Sequence, residues 1–348
     1  MTAAPSPLLV VAKRIEGRLD PLFDDEQQRW QAVHPDLGSF FSRLRRMVLG
    51  GGKRLRPAFC AWAAAAAGGS VDDDAVVDAG AALELLHAFA LVHDDVMDGS
   101  DRRRGEPTVH VDAAAVHATH SWQGDARRYG DAVAILAGDY LHVMADHLMA
   151  RAAPQAAGLW RDLRAELNIG QYLDVAAAAR GAVDSETATL VTRYKSGLYT
   201  IERPLELGAV LAGDASLGRA LAAYGRPLGE AFQLRDDVLG TFGDEALLGK
   251  PVGDDLREGK PTLLLAFAHE RADPRQKDTL GSVGGPLDLE QVRAIQTVMR
   301  QTGAVERVEA HIADRTVNAI AALQSLDLAP EPLDALTELA HFVSARSF

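Results

Sequence analysis

Leu91-Val-His-Asp-Asp-Val-Met-Asp-Gly-Ser-Asp-Arg-Arg-Arg-Gly105 closes a long Ala- and Leu-rich run that begins near Asp72. The run has the length and apolar density of a helix, which places Asp94, Asp95 and Asp98 in its last turn. An i, i+4 spacing sets the carboxylates of Asp94 and Asp98 on one face, one turn apart. Negative charge is misplaced at a helix C-terminus, where the dipole favours cations. Three carboxylates crowded there repel one another and hold their protons more tightly unless a cation joins them. Oxygen ligands with no cysteine nearby point to Mg²⁺, which keeps several waters and shares its remaining positions with phosphate oxygens. Arg102, Arg103 and Arg104 follow at once, and guanidinium forks match phosphate. A solvated acidic helix end beside a basic loop has the same local sequence, so the rest of the chain must decide.

Helical periodicity spreads from this stretch in both directions, with no convincing run of alternating β-branched residues. The spacing predicts helices over 9–19, 36–49 and 55–67, the last carrying Pro57 near its first turn and stopped by Gly68-Gly69. Asp72 to Asp74 cap the long helix. The segment 110–130 reads as irregular and polar, long enough for a functional loop or lid. Helices follow over 131–153, with Gly138 a point of close packing, then 156–179, 185–212 and 216–239. The segment 242–260 is loop-rich, 261–270 is helical, and 271–288, with Pro, Gly and charges, reads as an exposed connection. Helices over 289–302, 305–323 and 332–344 complete the chain. No fixed repeat is present. About a dozen helices with short connections predict an all-α protein. The expected form is a single large helical bundle domain over 1–348, arranged around a central cavity.

Composition narrows the function. A hydrophobic fraction of 47% is ample for a buried core, and a formal charge of −13 excludes a nucleic-acid partner. It leaves room for a small phosphorylated substrate held by local Lys/Arg clusters and metal. The single cysteine, Cys60, lies among Ala58, Phe59, Ala61 and Trp62 and reads as a buried core thiol. It rules out a disulfide framework and fits a reducing cytosol, so a cytoplasmic location is expected. Neither a transmembrane segment nor a signal peptide is expected.

Several further stretches carry chemistry. Phe232-Gln-Leu-Arg-Asp-Asp-Val-Leu-Gly-Thr-Phe-Gly-Asp244 echoes the first acidic stretch and also ends an apolar helix. It offers Asp236 and Asp237, has Gly240 where the first stretch has its third Asp, and places Asp244 too far along to share the turn. Two acidic helix ends facing each other could clamp a shared cluster of ions. In Gly50-Gly-Gly-Lys-Arg-Leu-Arg-Pro57, backbone N–H groups can approach an anion while Lys53, Arg54 and Arg56 supply charge. This is not a Walker A loop, since Met47 and Arg54 break that pattern. Gly249-Lys-Pro-Val-Gly-Asp-Asp-Leu-Arg-Glu-Gly-Lys-Pro261 brings Lys250 and Lys260 beside Asp254 and Asp255. Lys195-Ser196 and Gly170-Gln-Tyr-Leu-Asp174 place polar groups in otherwise apolar helices, where they need partners. His87 sits two turns before Asp94 on roughly the same face.

Taken in order, Gly51-Gly-Lys-Arg-Leu-Arg-Pro57, His93-Asp-Asp-Val-Met-Asp98, Arg103-Arg-Gly105, Lys195-Ser196, Phe232-Gln-Leu-Arg-Asp-Asp237 and Gly253-Asp-Asp-Leu-Arg-Glu-Gly-Lys260 resemble the trans-isoprenyl diphosphate synthases, or polyprenyl synthetases. The likeness spans roughly 36–270; beyond Asp288 no motif is used. It implies the isoprenoid synthase type of all-α fold and a homodimer. It also implies a Mg²⁺-dependent prenyltransferase joining isopentenyl diphosphate head-to-tail to an allylic diphosphate (dimethylallyl, geranyl or farnesyl). By that resemblance Asp94, Asp95 and Asp98 hold Mg²⁺ on the allylic diphosphate, and Asp236 with Asp237 supplies the third of about three ions. Arg103, Lys195, Ser196, Gln233, Lys250 and Lys260 would grip the same diphosphate. Lys53, Arg56, His87 and Arg104 would bind isopentenyl diphosphate, with Gly52 allowing close approach. The family usually has Asp where this chain has Gly240, and Thr where it has Ser196.

The growing product is expected to run down between helices below Asp94, past Ala90, Phe89, Leu86 and Leu83. Each helical turn advances about 5.4 Å, comparable to one isoprene unit, so side-chain size there acts as a ruler. An aromatic Phe89 with no insertion in the acidic motif resembles the short-chain types, geranylgeranyl (C20) before farnesyl (C15). A class I terpene cyclase shares the first acidic motif, but positions 236, 240 and 244 read Asp, Gly, Asp, and a cyclase taking one diphosphate has no use for the loop at 51–57. A non-catalytic modulating subunit of a prenyl synthase is the other alternative, resting on Gly240 alone.

Overall fold

Helix α4 (Asp74–Asp98) is buried without a break from Val76 to Leu86, so it is enclosed on all sides rather than packed along one stripe. The structure, a computed structural model, describes residues 4–180, 185–243, 253–260 and 262–345. The all-α expectation holds: among the described residues the strands amount to one two-residue hairpin, β1 (Arg102–Arg103) with β2 (Glu106–Pro107). Two compact units can be distinguished. One comprises Ser6–Ala157 with Gly208–Gly213; the other comprises Gly158–Leu207 and Asp214–Phe348 with Met1–Pro5.

In the first unit, α1 (Ser6–Gln31), α2 (Asp36–Leu49), α3 (Leu55–Ala66), α5 (Val109–Thr119) and α6 (Ala126–Ala152) pack around α4. The ring of His93 on α4 lies so close to Gly138 on α6 that a Cβ at 138 would overlap it. The close-packing role read for Gly138 is therefore real. Cys60 is fully buried, and desolvation pushes its thiol up to about 12, which makes it an inert core residue. Among the described residues α4 is the one helix long and apolar enough to cross a membrane, but 78% of that window is buried inside the protein. Its apolarity is used in packing.

The second unit runs α7 (Ala157–Arg180), α8 (Ser185–Val191), a π-helix (Thr192–Glu202), α9 (Arg203–Leu211) and α10 (Ala215–Phe242). It continues through α11 (Asp254–Glu258), α12 (Leu263–Arg271), α13 (Pro274–Leu280), α14 (Leu289–Gln301), α15 (Ala304–Gln324) and α16 (Pro330–Ala345). The last residues of α9, Gly208–Leu211, belong to the first unit. Its core joins Leu234 and Val238 of α10 to Leu265, Phe267, Val292, Ile295, Met299, Val308 and Ile312. Buried Tyr224 ties α10 to α16 by donating to Leu336 O at 2.7 Å.

Several boundaries differ from expectation. The segment 110–130 is mostly helix: α5 fills 109–119 and α6 begins at Ala126, where Asp125 accepts from Arg128 N–H at 2.7 Å. Helix α5 buries His110 and His117 in place of an apolar stripe, which hid its period. Helix α1 runs through Pro21 to Gln31. The connection read over 271–288 contains α13, started by a capping box between Asp273 and Gln276 with Pro274 at its first turn. Lys195 lies in a π-helix, a geometry that frequently marks functional sites.

Candidate active site

The C-terminus of α4 and the hairpin after it form one acidic–basic cluster. Gly99, in the left-handed region at φ +67, ends the helix and turns the chain so that Arg103 comes back over the last turn. Arg103 grips Asp95 by both oxygens: its Nε donates at 2.9 and 3.0 Å, and its Nη2 at 2.6 Å. Asp95 is 1% exposed, whereas Asp94 and Asp98 are half-buried. Asp94 Oδ2 lies 3.6 Å from Arg103 Nη2. The sequence reading makes Asp95 a metal ligand and Arg103 a diphosphate ligand, but here the two are spent largely on each other. Asp94 and Asp98, half-buried and one turn apart, lie at the helix end beside that pair.

A cluster of cationic side chains lies in the same unit. Gly52, at φ +127, lets two guanidiniums converge: a Cβ there would come within 3.0 Å of Arg104 Nη2 and 3.1 Å of Arg54 Nη1. Arg104 also donates to Gly51 O. His87 is half-buried, and its pKa is held well below 6.5 by desolvation and then by Arg56, Arg104, Arg103 and Arg54. Burial and neighbouring positive charge therefore keep this imidazole neutral. Arg54 corrects the sequence reading. It is buried, donates to Glu84 Oε2 at 2.7 Å and to Val48 O at 2.8 Å, and opens α3 from a left-handed conformation. Its charge belongs to the fold, while Lys53 is half-buried on the loop and Arg56 sits in the first turn of α3.

Below the acidic end, Phe89 stacks on His142 of α6, ring centroids 4.8 Å apart at 19°, and meets His93 edge-on at 4.8 Å. Leu83 and Leu86 are fully buried, and Ala90 is half-buried. His142 carried no signal in the sequence, since only packing brings it to Phe89.

In the second unit Lys195 donates to Asp174 Oδ2 at 2.5 Å, joining the π-helix to α7, and Ser196 beside it is half-buried. Gln233 donates to Asp237 Oδ1 at 2.7 Å, one turn along α10. Burial pushes the Asp237 carboxyl up to about 8; the Gln233 amide opposes the rise, and Asp255, Asp236 and Asp174 add to it. Lys260 touches Glu258 and lies 3.6 Å from Asp255 Oδ1. Lys250 lies outside the described residues. Asp174, Glu258 and Asp255 were not assigned a role from sequence, yet each holds or neighbours an expected diphosphate ligand.

Among the described residues no three His, Cys, Asp or Glu side chains are gathered closely enough to hold an ion by themselves. Mg²⁺ bound through one or two carboxylates, water and substrate phosphate does not need such a cage. The all-oxygen donors of Asp94, Asp98 and Asp236 fit that kind of binding.

The comparisons with known proteins agree with this chemistry. The family model described as polyprenyl synthetase matches residues 40–302. The short chain isoprenyl diphosphate synthase of Methanothermobacter thermautotrophicus is 34% identical over 86% of this chain and 88% of its own. A crystal structure of geranylgeranyl pyrophosphate synthase from Corynebacterium glutamicum, complexed with isoprenyl diphosphate and magnesium, superposes with a TM-score of 0.92 at 37% identity, covering 99% of this chain and 100% of that one. Polyprenyl synthase from Caulobacter crescentus, complexed with calcium and isoprenyl diphosphate, gives 0.83 at 30% identity with full coverage of both chains. The chain therefore belongs to the polyprenyl synthetase family and is a polyprenyl diphosphate synthase, a transferase of prenyl groups.

Proposed function

We propose that this synthase joins isopentenyl diphosphate to an allylic diphosphate and stops at a short all-trans product, C20 in preference to C15. The observation that carries the two-diphosphate reading is the cluster of Gly52, Arg56, His87 and Arg104, which would serve a second diphosphate in addition to the one bound through metal at the acidic helix end. A cyclase consuming one diphosphate has no use for it. The stacked Phe89 and His142 rings support the short product, because both fill space below Asp94.

Asp94 and Asp98 at the end of α4, and Asp236 at the end of α10, would hold Mg²⁺ for the allylic diphosphate, with Asp95 and Asp237 orienting them. When bound, the ions neutralise charge on the departing pyrophosphate. Arg103, Lys195, Ser196, Gln233, Lys250 and Lys260 would add positive charge and hydrogen bonds to the same leaving group, easing ionisation to an allylic cation. Lys53, Arg56, Arg104 and neutral His87 would fix isopentenyl diphosphate with its double bond in contact with that cation, so that positioning supplies much of the barrier reduction. Water must be kept out, or the cation is quenched to an alcohol. The departing pyrophosphate would take the last proton.

We also infer one catalytic domain, since the motifs follow one another in family order from Gly51 to Lys260. A homodimer in a reducing cytoplasm completes the reading: Ile135, Leu136 and Val143 present apolar surface on α6, suited to a second copy. The test is incubation of purified protein with Mg²⁺, isopentenyl diphosphate and each of the three allylic diphosphates, with mass spectrometry of the dephosphorylated products. Linear C20 alcohol is expected; a cyclic hydrocarbon, or no product from any starter, would contradict the reading.

A further inference from the structure

The hairpin β1–β2 is too small to hold itself in one shape. Each strand has two residues, and Pro107 has no N–H to give the ladder. Of residues 102–107 only Arg103 is not exposed, so no packed apolar face steadies the hairpin. Its two-residue turn sets Arg104 at φ +53 and Gly105 at φ +80, the pattern of a type I′ turn, whose first position suits arginine poorly. Yet this turn carries Arg104 across to the loop before α3, where its guanidinium donates to Gly51 O and lies against Gly52.

The base of the hairpin must therefore be fixed by something else, and Thr108 is placed to do so. It is 2% exposed and stands at the N-cap of α5. A threonine there ordinarily accepts from the amides of the first helical turn. This one makes no such bond. Its hydroxyl turns away from the helix and donates to Ser100 O at 2.9 Å, with Asp101 O at 3.4 Å, while its N–H donates to Asp101 O at 3.1 Å. Ser100 N–H donates in turn to Asp95 O at 2.9 Å, which ties the base to the last turn of α4. Buried His110 brings Nδ1 to 3.2 Å from the same hydroxyl oxygen. The hydroxyl hydrogen is spent on Ser100 O, so Nδ1 carries the ring hydrogen and donates it to Thr108.

A cap forgone and a buried histidine committed to one hydroxyl call for a purpose beyond starting α5. We propose that Thr108 is a positioning residue for prenyl transfer: its hydroxyl clasps the base of the hairpin and thereby aims Arg104 at isopentenyl diphosphate. Arg103 has its own anchor in Asp95, so the clasp matters most at the tip. The inference rests on the reading of Arg104 as a ligand of that substrate given above.

A double-mutant cycle tests it, by steady-state assay with Mg²⁺, saturating farnesyl diphosphate and varied isopentenyl diphosphate, and with the unfolding temperature of every variant recorded. Arg104→Ala is the reference and is expected to raise KM for isopentenyl diphosphate about 30-fold, the weight of one charge-assisted hydrogen bond. Thr108→Val, which keeps the shape and removes the hydroxyl, raises it about tenfold with a smaller change in kcat. Thr108→Ser, which keeps the hydroxyl, recovers most of that loss. In the Arg104→Ala background Thr108→Val adds less than about twofold, because the side chain it aims is gone. If Arg104→Ala raises KM and Thr108→Val does not, or does so by the same factor in both backgrounds, the inference is overturned while the reading of Arg104 stands. If Arg104→Ala leaves KM unchanged, that reading fails and the inference with it. Should Thr108→Val not fold, the ratio of Thr108→Ala to Thr108→Ser isolates the hydroxyl in the same cycle, and the same outcomes decide.

Discussion

The C-termini of α4 and α10 are two versions of one device, and they are completed in different ways. On α4 the carboxylates come from a single turn, and the following hairpin returns Arg103 to hold Asp95. On α10 one turn supplies only Asp236 and Asp237, Gln233 steadies Asp237, and Gly240 lies against Asp255 of α11. The first end is written in consecutive residues and its burial is satisfied by an internal ion pair. The second carries a buried carboxyl whose proton affinity is raised. The comparison teaches that similar acidic helix ends can be stabilised differently, by an ion pair in one and by a side-chain amide in the other.

The largest effects should come from Asp94 and Asp236. Asp94→Asn is expected to lower kcat about 10³-fold, because charge stabilisation on a leaving group is lost at the step that needs it. Asp236→Asn should cost comparably, with steady-state assay of both variants as the check; activity within tenfold of wild type for either would mean that end is not used. Next comes the ion pair that distinguishes the first end. Arg103→Ala leaves Asp95 buried without its guanidinium, and urea unfolding should show a loss of about 3 kcal/mol. Arg103→Lys should recover little of it, since an ammonium cannot bridge both oxygens as the fork does.

The second end predicts a pH dependence. The carboxyl of Asp237 is raised from 3.8 to about 8, so the folded protein keeps a proton that the unfolded chain gives up. Its contribution to stability is complete below the lower value and is lost as pH rises through the upper one. Without Mg²⁺, the unfolding temperature of wild type should therefore decline over this window more steeply than that of Asp237→Asn. Parallel profiles for the two proteins would contradict the assignment. The smallest effect is on product identity. Phe89→Ala should shift products toward longer chains, and His142→Ala should do so more weakly because Phe89 still fills the path. An unchanged product distribution in both would remove the ruler from this part of α4.

Much of this was legible in the sequence, for physical reasons that differ by residue. The long apolar run before Asp94 could only be a buried helix, and Gly138 and Cys60 were readable as packing residues from their neighbours. Helix α5 escaped because it is short and buries histidines, so apolar periodicity carried no signal. Pro274 suggested a break, although Asp273 and Gln276 spell a helix start. Arg54 resembled its loop neighbours until Glu84, 30 residues away, claimed its charge. The contacts of Asp255 with Gly240 and of His142 with Phe89 could not be found at all, because tertiary packing alone brings them together.

The most direct test is a crystal structure with Mn²⁺ and a non-cleavable allylic diphosphate analogue, the ions located by their anomalous scattering. The account predicts one group of ions ligated by Asp94 and Asp98 and another ligated by Asp236. Ions that bypass Asp94 and Asp98, or that bypass Asp236, would contradict it.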